Sequence, residues 1–454
     1  MADPASIAEQ DVLRNELIPR TIENAVRLSS FYRDLYGANG VDVAAIRTID
    51  DLAALPPVSK ERLREAGRSA LCIDDTTSII QLQHTSGTTA VPFVMYRSAA
   101  EIQFISEFFG TVLRKEDWSG RPAPMSMQFR NSLHGSLTPI PGRAFVMEGN
   151  TGDADAIRRT LHLLEMKFDL PGIEDRITVF GGSLTDIEIL TAFVLEQRVP
   201  TDRFAIRSMN VSGRYLTERW RALIEGTWNA TVFDRFSLSE VFGGATSCPS
   251  CRGYHFDPLV VPEVADVVTG EAIRAGTGRL LMTGLYPFVQ VQPVIRYRTG
   301  DIFQVDPDVC AAPRFEFLGR ENHSLFSPLD PGRLLIGGRD LLETADVLPE
   351  IARGDEPALP LADKRAIGQP TVRGIWRRDG ERVELTLELE TVSQLTLYPR
   401  HAERLRETVF ESLTARSAAL REDIAGGVVS LSIRFVPLGS LTDVDRITPV
   451  WREA

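Results

Sequence analysis

The chain has 454 residues, of which 43% are hydrophobic and 25% charged, an ordinary globular composition that predicts two or three domains and excludes extended disorder. Its formal net charge of −12, with no basic run, argues against a nucleic-acid or anionic-membrane partner. The start of the sequence lacks signal-peptide and transit-peptide character, and no apolar run reaches the ~20 residues of a spanning helix, so we expect a soluble cytoplasmic protein.

The N-terminal part of the sequence is predicted to be helical. Apolar residues recur at helical spacing from about Ile7 to Tyr36. The stretch "TIDDLAALPPVSKERLREAG" then predicts a short helix, a Pro-Pro stop and a second helix capped by Ser59.

From Ser78 the sequence alternates short apolar runs with helical periods. The runs are "SIIQLQ", "PFVMY", "PAPMSMQF", "RAFVME", "ITVFGG", "FAIRSMNVSG" and "ATVFDRFS". Before the last run, "LTERWRALIEGTW" carries Leu216, Trp220, Leu223, Ile224 and Trp228 on one helical face. Strands and helices in alternation predict an α/β domain.

The composition changes after Gly319, where Pro, Gly and Asp become frequent. Beyond this point "RVELTLELE" and "VVSLSIRFVPL" predict strands, and "PRHAERLRETVFESLTARSAAL" between them predicts a helix. We therefore expect a large domain over residues 1–319 and a small α+β domain over residues 320–454.

A loop rich in hydroxyl groups lies between two predicted strands in "QLQHTSGTTAVPFVMYR". Its residues Thr85, Ser86, Gly87, Thr88 and Thr89 could curl their N–H and hydroxyl groups around a phosphate, or could form a polar surface turn. No Lys follows the loop, and a strand rather than a helix comes next, which disfavours a P-loop NTPase.

Four further segments follow this loop in a characteristic order: "NVSGRYLTERW", "DRFSLSEVFG", "VIRYRTGD" and "FLGRENHS". With "HTSGTTAVP", they resemble the motifs of the adenylate-forming superfamily of acyl-CoA synthetases and adenylation domains, most closely its phenylacetate-CoA ligase-like branch. The resemblance implies an α/β protein whose large N-terminal domain, with mixed sheets and helices, binds ATP and an acyl group. It also implies a small mobile α+β C-terminal domain after a hinge near Asn322, where relatives usually have Asp.

The resemblance assigns a role to each matching residue. Catalytic roles fall to Glu240, which would hold Mg²⁺, to Thr85 and to Arg446. The residues assigned to ATP are Thr85, Ser86, Gly87, Thr88 and Thr89 at the phosphates, Ser212, Gly213, Arg214, Asp234 and Phe236 near the adenine, Ser239, Asp301 at the ribose, and Arg320 at ribose or phosphate. Other interpretations stay open: Glu240 as a helix-start carboxylate, Asp301 as a turn residue and Arg320 as a surface cation.

A metal site is predicted from the cysteines. "CPSCRGYHFDP" brings Cys248, Cys251 and His255 within one short stretch, and Cys310 lies before "RFEFLGR". Three thiolates and an imidazole form a tetrahedral Zn²⁺ ligand set, which would be structural because protein fills all four positions. The alternative is a loop with incidental thiols. His84, His134 and His323 are interpreted as lone histidines with packing or polar roles, with a place in the active site as the alternative for His84 and His134.

Two segments depart from the family pattern. Near the C-terminus the family has a Gly-Lys pair, whereas "TDVDRITPVW" supplies Asp445 and Arg446, and Arg is a planar fork rather than a compact ammonium. The stretch "SLFSPLDPGRLLIGGRDLLETADVLPEI" replaces the segment that lines the pantetheine tunnel in CoA ligases. Adenylation is therefore better supported than the identity of the acceptor.

Three functional hypotheses follow. The first is an ATP- and Mg²⁺-dependent ligase that converts a carboxylic acid, aromatic or otherwise apolar, into an acyl-adenylate and then a CoA thioester. The second transfers the acyl group to an amine or another nitrogen nucleophile, and the third is a homologue that binds nucleotide or acyl group without turnover. The sequence leaves open the acid, which depends on residues such as Phe129, His134, Phe180 and Phe242, and the oligomeric state, a homodimer included.

Overall fold

The computed structural model of the chain describes residues 4–84, 93–115, 122–129, 144–148, 151–152, 154–310, 312–353, 370–441 and 450–453. The α-helices in these ranges are α1 (Pro4–Leu28), α2 (Ser30–Ala38), α3 (Lys60–Ala66), α4 (Ala99–Lys115), α5 (Ala154–Glu165), α6 (Leu184–Glu196), α7 (Glu218–Trp228), α8 (Gly338–Asp346), α9 (Pro399–Arg416) and α10 (Ala418–Ala425).

The strands in the same ranges are β1 (Ile79–His84), β2 (Val94–Ser98), β3 (Ala123–Phe129), β4 (Ala144–Glu148), β5 (Ile173–Ser183), β6 (Ser208–Ser212), β7 (Thr231–Ser237), β8 (Gly244–Ser247), β9 (Tyr254–Phe256), β10 (Val260–Ala265), β11 (Ala272–Ile273), β12 (Gly276–Gly284), β13 (Tyr297–Asp306), β14 (Arg314–Arg320), β15 (Leu325–Phe326), β16 (Leu334–Ile336), β17 (Val372–Asp379), β18 (Arg382–Thr391), β19 (Val429–Pro437) and β20 (Val450–Glu453).

The N-terminal helices form as the sequence predicts. Ser59 is the N-cap of α3, and its side chain accepts a hydrogen bond from the N–H of Arg62 at 3.3 Å. This bond satisfies one of the amide groups that a helix start leaves without an intrahelical partner. The residues before α3 join the large sheet, because Val58 forms a parallel bridge with Tyr297.

A twelve-stranded mixed sheet forms the centre of the protein, with strand order β11-β10-β12-β13-β14-β9-β8-β7-β6-β5-β3-β4. Strands β3 to β7 pair in parallel, and from β7 to β14 the neighbours are antiparallel. Each apolar run between β3 and β7 that the sequence predicts as a strand is a strand here. The predicted α/β class is confirmed.

Helix α7 buries the apolar face that its amphipathic pattern predicts. The hydroxyl of Thr217 caps the helix by accepting a hydrogen bond from Trp220 N, and Trp220, Ile224 and Trp228 are buried. These side chains pack in the same apolar core as residues from β3, β5, β6 and β7. The helix therefore covers the parallel half of the sheet through its apolar face.

Apolar residues of the described segments form three core clusters. The first joins the N-terminal helices to the antiparallel half of the sheet, and the second lies under α5, α6 and α7. The third draws on residues between Leu325 and Ile433, which come from α8, α9, α10 and strands that include β17, β18 and β19. The division of the chain at residues 319 and 320 stays a prediction.

Strand β14 meets the start of α8 with no side chain between them. Gly319 has a φ of +132°, and a Cβ atom placed on it would lie 2.6 Å from the main-chain nitrogen of Gly338. Both the dihedral angle and the space therefore require glycine at position 319.

In the described part of the chain, no helix combines the length and apolar character that crossing a membrane demands.

Candidate active site

Glu240 lies in the turn that joins β7 to β8, and its residue is 6% exposed. This position in a turn is not that of a helix-start carboxylate, the alternative that the sequence left open. Its Oε1 accepts a hydrogen bond of 2.8 Å from the hydroxyl of Tyr297 and lies 3.2 Å from Nζ of Lys60. Burial and the neighbouring carboxylate together raise the pKa of Tyr297, so the phenol remains a donor.

Lys60 and Tyr297 were not singled out in the sequence, although Tyr297 lies in the motif "VIRYRTGD" and Lys60 directly follows the predicted helix cap Ser59. Lys60 is the first residue of α3, and Tyr297 is the first residue of β13. The bridge between Val58 and Tyr297 brings the two segments together. Only this long-range pairing identifies them as partners of Glu240.

Asp301 and Arg320 face each other across the antiparallel pair β13 and β14. They are paired in register, and Nη1 of Arg320 lies 3.2 Å from Oδ1 of Asp301. Asp301 is 3% exposed, and its Oδ2 has no hydrogen-bond partner among the described residues. Burial raises the pKa of Asp301, Arg320 opposes the increase, and the charge of Glu240 adds to it.

In this arrangement Asp301 is a buried strand residue, and Arg320 is its counter-ion. Because the charge of Glu240 acts on Asp301, the two carboxylates lie in the same region of the molecule. A buried carboxylate oxygen without a donor is costly unless something else donates to it. The Oδ2 atom of Asp301 is therefore suited to accept a hydroxyl group of a ligand.

The loop after β6 carries three of the residues that the resemblance assigns to adenine. Ser212 ends β6, Gly213 is exposed with a φ of +94°, and Arg214 forms an ion pair with Glu188 on α6. Tyr215 follows and donates a hydrogen bond of 2.8 Å to Glu343 on α8. Direct contact of this loop with a base stays a prediction.

Asp234 and Phe236 lie on β7, and both contact other side chains of the protein. Asp234 is 3% exposed and accepts a hydrogen bond from the hydroxyl of Tyr254. Burial raises the pKa of Asp234 to about 6, with the Tyr254 hydrogen bond opposing the increase. Phe236 lies edge-on to Phe303 at 5.1 Å, within a group of aromatic rings. Their assignment to adenine stays a prediction.

Several predicted residues lie outside the described ranges. They are the hydroxyl loop of Thr85, Ser86, Gly87, Thr88 and Thr89, the C-terminal Arg446, and His134. Ser239 is described, and its main-chain carbonyl accepts a hydrogen bond from Arg97 at 3.0 Å. His323, in the short turn after Arg320, is buried, and burial together with Arg320 lowers its pKa to about 4.

Of the side chains considered for the acyl pocket, two belong to the core. Phe129 and Phe180 contact each other at 5.1 Å in the second apolar cluster and are 2% and 0% exposed. Phe242 is partly buried in the turn that follows Glu240. Among the described members of this set, Phe242 is therefore the one that lies beside the candidate active site.

The four predicted metal ligands converge. The ligand atoms of Cys248, Cys251, His255 and Cys310 all lie within 4.8 Å of one another. Strand β9 pairs with β14 through Tyr254 and Phe315, which brings the two cysteine-containing segments together. The segment from Cys248 to Gly253 is a tight turn closed by a hydrogen bond of 2.7 Å from Cys248 N to the Gly253 carbonyl.

The orientation of the His255 imidazole and the pKa of the Cys248 thiol are compatible with metal binding. Nδ1 of His255 lies 3.1 Å from the carbonyl of Pro313, while Nε2 faces Cys251 Sγ at 3.5 Å. This orientation leaves Nε2 as the ligand atom, as in histidines that bind zinc. Partial burial opposes ionisation of Cys248, but hydrogen bonds from the N–H groups of Cys251 and Ser250 lower the pKa of its thiol to about 6.

Comparison with known proteins gives sequence relatives and a shared fold. No protein-family profile matches the chain. It is 24% identical over 447 residues to a phenylacetate-coenzyme A ligase of Thermus thermophilus, covering 94% of this chain and 92% of that protein. A phenylacetate-coenzyme A ligase of Aromatoleum evansii is 24% identical over 329 residues, covering 69% and 71%. The fold resembles an open conformation of 2-hydroxyisobutyryl-CoA ligase, with a TM-score of 0.70, 17% identity and coverage of 99% and 92%.

The ordered motifs, the buried carboxylates that they supply and these relatives agree with one another. Along most of its length the chain is similar in sequence to phenylacetate-coenzyme A ligases, and it shares its fold with 2-hydroxyisobutyryl-CoA ligase. The resemblance to the phenylacetate-CoA ligase-like branch of the adenylate-forming superfamily is thus supported by sequence relatives and by a shared fold.

Proposed function

We propose that the protein uses ATP to activate a carboxylic acid as an acyl-adenylate and then transfers the acyl group to CoA. The observation that carries the proposal is the pair of buried carboxylates, Glu240 and Asp301, with Arg320 opposite Asp301. One carboxylate would hold Mg²⁺ and the other would accept the ribose hydroxyls. The names of the sequence relatives support CoA as the acceptor and an aromatic or apolar acid as the substrate.

In the first half-reaction a carboxylate oxygen of the acid attacks the α-phosphorus of ATP, and pyrophosphate leaves. Such a reaction depends on positioning and on neutralising charge. Glu240 fits Mg²⁺ because a hard carboxylate oxygen, completed by phosphates and water, is the usual protein contribution. Mg²⁺, when bound, supplies the positive charge that offsets the phosphate charge. The loop from Thr85 to Thr89 would surround the β- and γ-phosphates.

The protein side of the ATP site is formed by Asp301, Arg320 and the loop after β6. Asp301 would accept hydrogen bonds from the ribose through Oδ2, the atom without a partner among the described residues. Its raised pKa fits a carboxylate that gains hydrogen-bond donors when the nucleotide binds. Ser212, Gly213, Arg214, Asp234 and Phe236 would lie near the base, and Arg446 would bring a cation to the reacting carboxylate and α-phosphate.

In the second half-reaction the sulfur of CoA attacks the acyl carbon, the thiol proton is lost and AMP leaves. The departures at Arg446 and in residues 324–351 make an amine acceptor the main alternative. A homologue without turnover is the remaining alternative, and the presence of Glu240 and Asp301 argues against it.

The experiment is pyrophosphate exchange with a library of carboxylic acids, followed by trials of CoA and amines as acceptors. We expect AMP and pyrophosphate to form only when a suitable acid is present. Formation of ADP would contradict adenylation. Nucleotide binding without exchange for any acid would instead favour the homologue without turnover.

We also propose that Cys248, Cys251, His255 and Cys310 hold one structural Zn²⁺ ion. The support is the convergence of their ligand atoms and the orientation of His255 by the Pro313 carbonyl. Three thiolates and one imidazole are a typical closed zinc set. The ion would join the turn after β8 to the segment before β14, and it would not activate water.

A further inference from the structure

Arg97, on strand β2, is a buried arginine that contacts the Glu240 turn at two points. Its side chain is 1% exposed, and Nη2 donates a hydrogen bond of 3.0 Å to the main-chain carbonyl of Ser239. Its guanidinium stacks on the ring of Phe242, with Cζ 4.6 Å from the ring centroid. Arg97 therefore contacts the turn on both sides of Glu240.

A capping box at the start of α4 holds the carboxylate that forms an ion pair with the guanidinium. The hydroxyl of Ser98 accepts a hydrogen bond from Glu101 N, and Oε2 of Glu101 accepts one from Ser98 N. Oε1 of Glu101 accepts a hydrogen bond of 2.6 Å from Gln290 N and lies 3.8 Å from Nη1 of Arg97. Because main-chain amides hold its carboxylate, Glu101 is a rigid counter-ion for Arg97.

Burial of the Arg97 guanidinium at this position is energetically costly. Among the described residues, its Nε and Nη1 atoms have no hydrogen-bond partner, and unpartnered buried donors destabilise a folded protein. Burial lowers the pKa of Arg97, opposed by the charges of Glu101 and Glu240. An apolar side chain would avoid these costs. The guanidinium is therefore better explained by its contacts with the turn than by the stability of the fold.

On the basis of the function proposed above, we infer that Arg97 is a positioning residue that sets the affinity of Glu240 for Mg²⁺. Lys60 and Tyr297 fix the carboxylate itself through Oε1, whereas Arg97 fixes the main chain that carries it. Groups that orient a metal ligand from outside typically change metal affinity about 10- to 100-fold. Arg97 acts through Glu240 and does not contact the reacting atoms.

The test measures how strongly Mg²⁺ increases nucleotide affinity, using a fluorescent ATP analogue in Mg²⁺ and in EDTA. The variants are Arg97→Met, Arg97→Lys and Arg14→Met. Arg14 is a matched control, because it is also buried and donates to main-chain carbonyls, those of Val260 and Asp257, rather than to Ser239 in the Glu240 turn.

We expect Arg97→Met to reduce the Mg²⁺-dependent gain in affinity about 10-fold, with little change in EDTA. Arg97→Lys keeps a donor for Ser239 but no plane for Phe242, so its reduction should be about 3-fold. Arg14→Met should leave the gain unchanged. If Arg97→Met does not fold, the inference is tested by the Mg²⁺-dependent gain in nucleotide affinity of Arg97→Lys alone.

An unchanged gain in the folded Arg97 variants would overturn the inference and leave the proposed function intact. A gain lost equally in Arg14→Met would overturn it too, since the effect would then be structural. A parent protein whose nucleotide affinity does not respond to Mg²⁺ would overturn both the inference and the role of Glu240.

Discussion

The guanidinium of Arg320 lies 3.2 Å from the carboxylate of Asp301, and the two residues are direct partners in the β13–β14 ladder. Asp301 is 3% exposed, whereas the Arg320 side chain is 41% exposed. The pair therefore runs from the interior of the sheet to its surface, with the carboxylate at the inner end. A ligand that binds beside the exposed Arg320 would therefore lie next to the buried carboxylate of Asp301.

Asp301→Ala should reduce acid-dependent pyrophosphate exchange about 100-fold or more, because it removes an oriented ionic group at the ribose. The same ladder supplies a matched control in Asp306, which lies opposite Arg314. Asp306→Ala should leave exchange nearly unchanged. Equal activity of Asp301→Ala and the parent protein would remove Asp301 from the ATP site.

Glu240→Gln should also reduce exchange about 100-fold, because a neutral amide is a poor replacement for a carboxylate at Mg²⁺. Tyr297→Phe removes only one hydrogen bond to Oε1, so its effect should be about 10-fold or less. Exchange rates at increasing Mg²⁺ test the order of the two variants. A larger loss in Tyr297→Phe than in Glu240→Gln would contradict the assignment of the metal to Glu240.

Protein purified without chelators should contain about one zinc ion per chain, and Cys248→Ser should lose zinc and lower the melting temperature. Cys72→Ser is the control, because Cys72 is buried and is not a member of the four-residue cluster. Zinc content by elemental analysis decides the matter. A zinc-free parent protein, or zinc retained in Cys248→Ser, would exclude the site.

Asp234 should make the stability of the protein depend on pH. Its pKa is about 6 in the folded protein against an ordinary 3.8, so the folded state binds the proton more tightly than the unfolded state. The contribution of protonated Asp234 to the free energy of unfolding is fully present below about pH 4 and is lost as the pH rises through 6. This loss lowers the free energy of unfolding by ~3 kcal/mol. Asp234→Asn should flatten this dependence in denaturant unfolding between pH 4 and 7. An unchanged pH profile would show that Asp234 does not titrate in this way.

Arg446→Ala should slow pyrophosphate exchange, whereas transfer from a synthetic acyl-adenylate should be much less affected. The reason is that the C-terminal domain is expected to supply its cation only to the first half-reaction. The two half-reactions are measured separately. If exchange does not change, Arg446 does not occupy the position of the family's lysine. Transfer without exchange in the parent protein would indicate an acyltransferase.

The sequence predicted the elements well because their signals are local. Helix α7 follows from the spacing of Trp220, Ile224 and Trp228, and the α3 start follows from Ser59. Glu240, Asp301 and Arg320 could be proposed as site residues because each lies inside a short motif. Cys248, Cys251 and His255 could be proposed as metal ligands for the same reason, and strand pairing brings Cys310 to them.

The contacts around Glu240 could not be predicted in this way. Lys60 and Tyr297 meet only because Val58 pairs with β13, and that bridge joins segments far apart in the chain. In the sequence, Arg97 is one polar residue that follows the apolar run "PFVMY". Its contact with the Glu240 turn depends on how β2 packs. Pairing between distant segments produces no periodic pattern in the sequence. Residues that orient a metal-binding side chain are therefore harder to predict than that side chain itself.

The contact between Gly319 and Gly338 has a consequence for sequence variation in this protein. Position 319 has no chemical role, yet even a methyl group there would strike the main chain at the start of α8. In a saturation library, position 319 should therefore tolerate as few amino acids as a catalytic position does. Intolerance to substitution would mark a point where two backbones touch, and only assays of purified variants would separate it from chemistry.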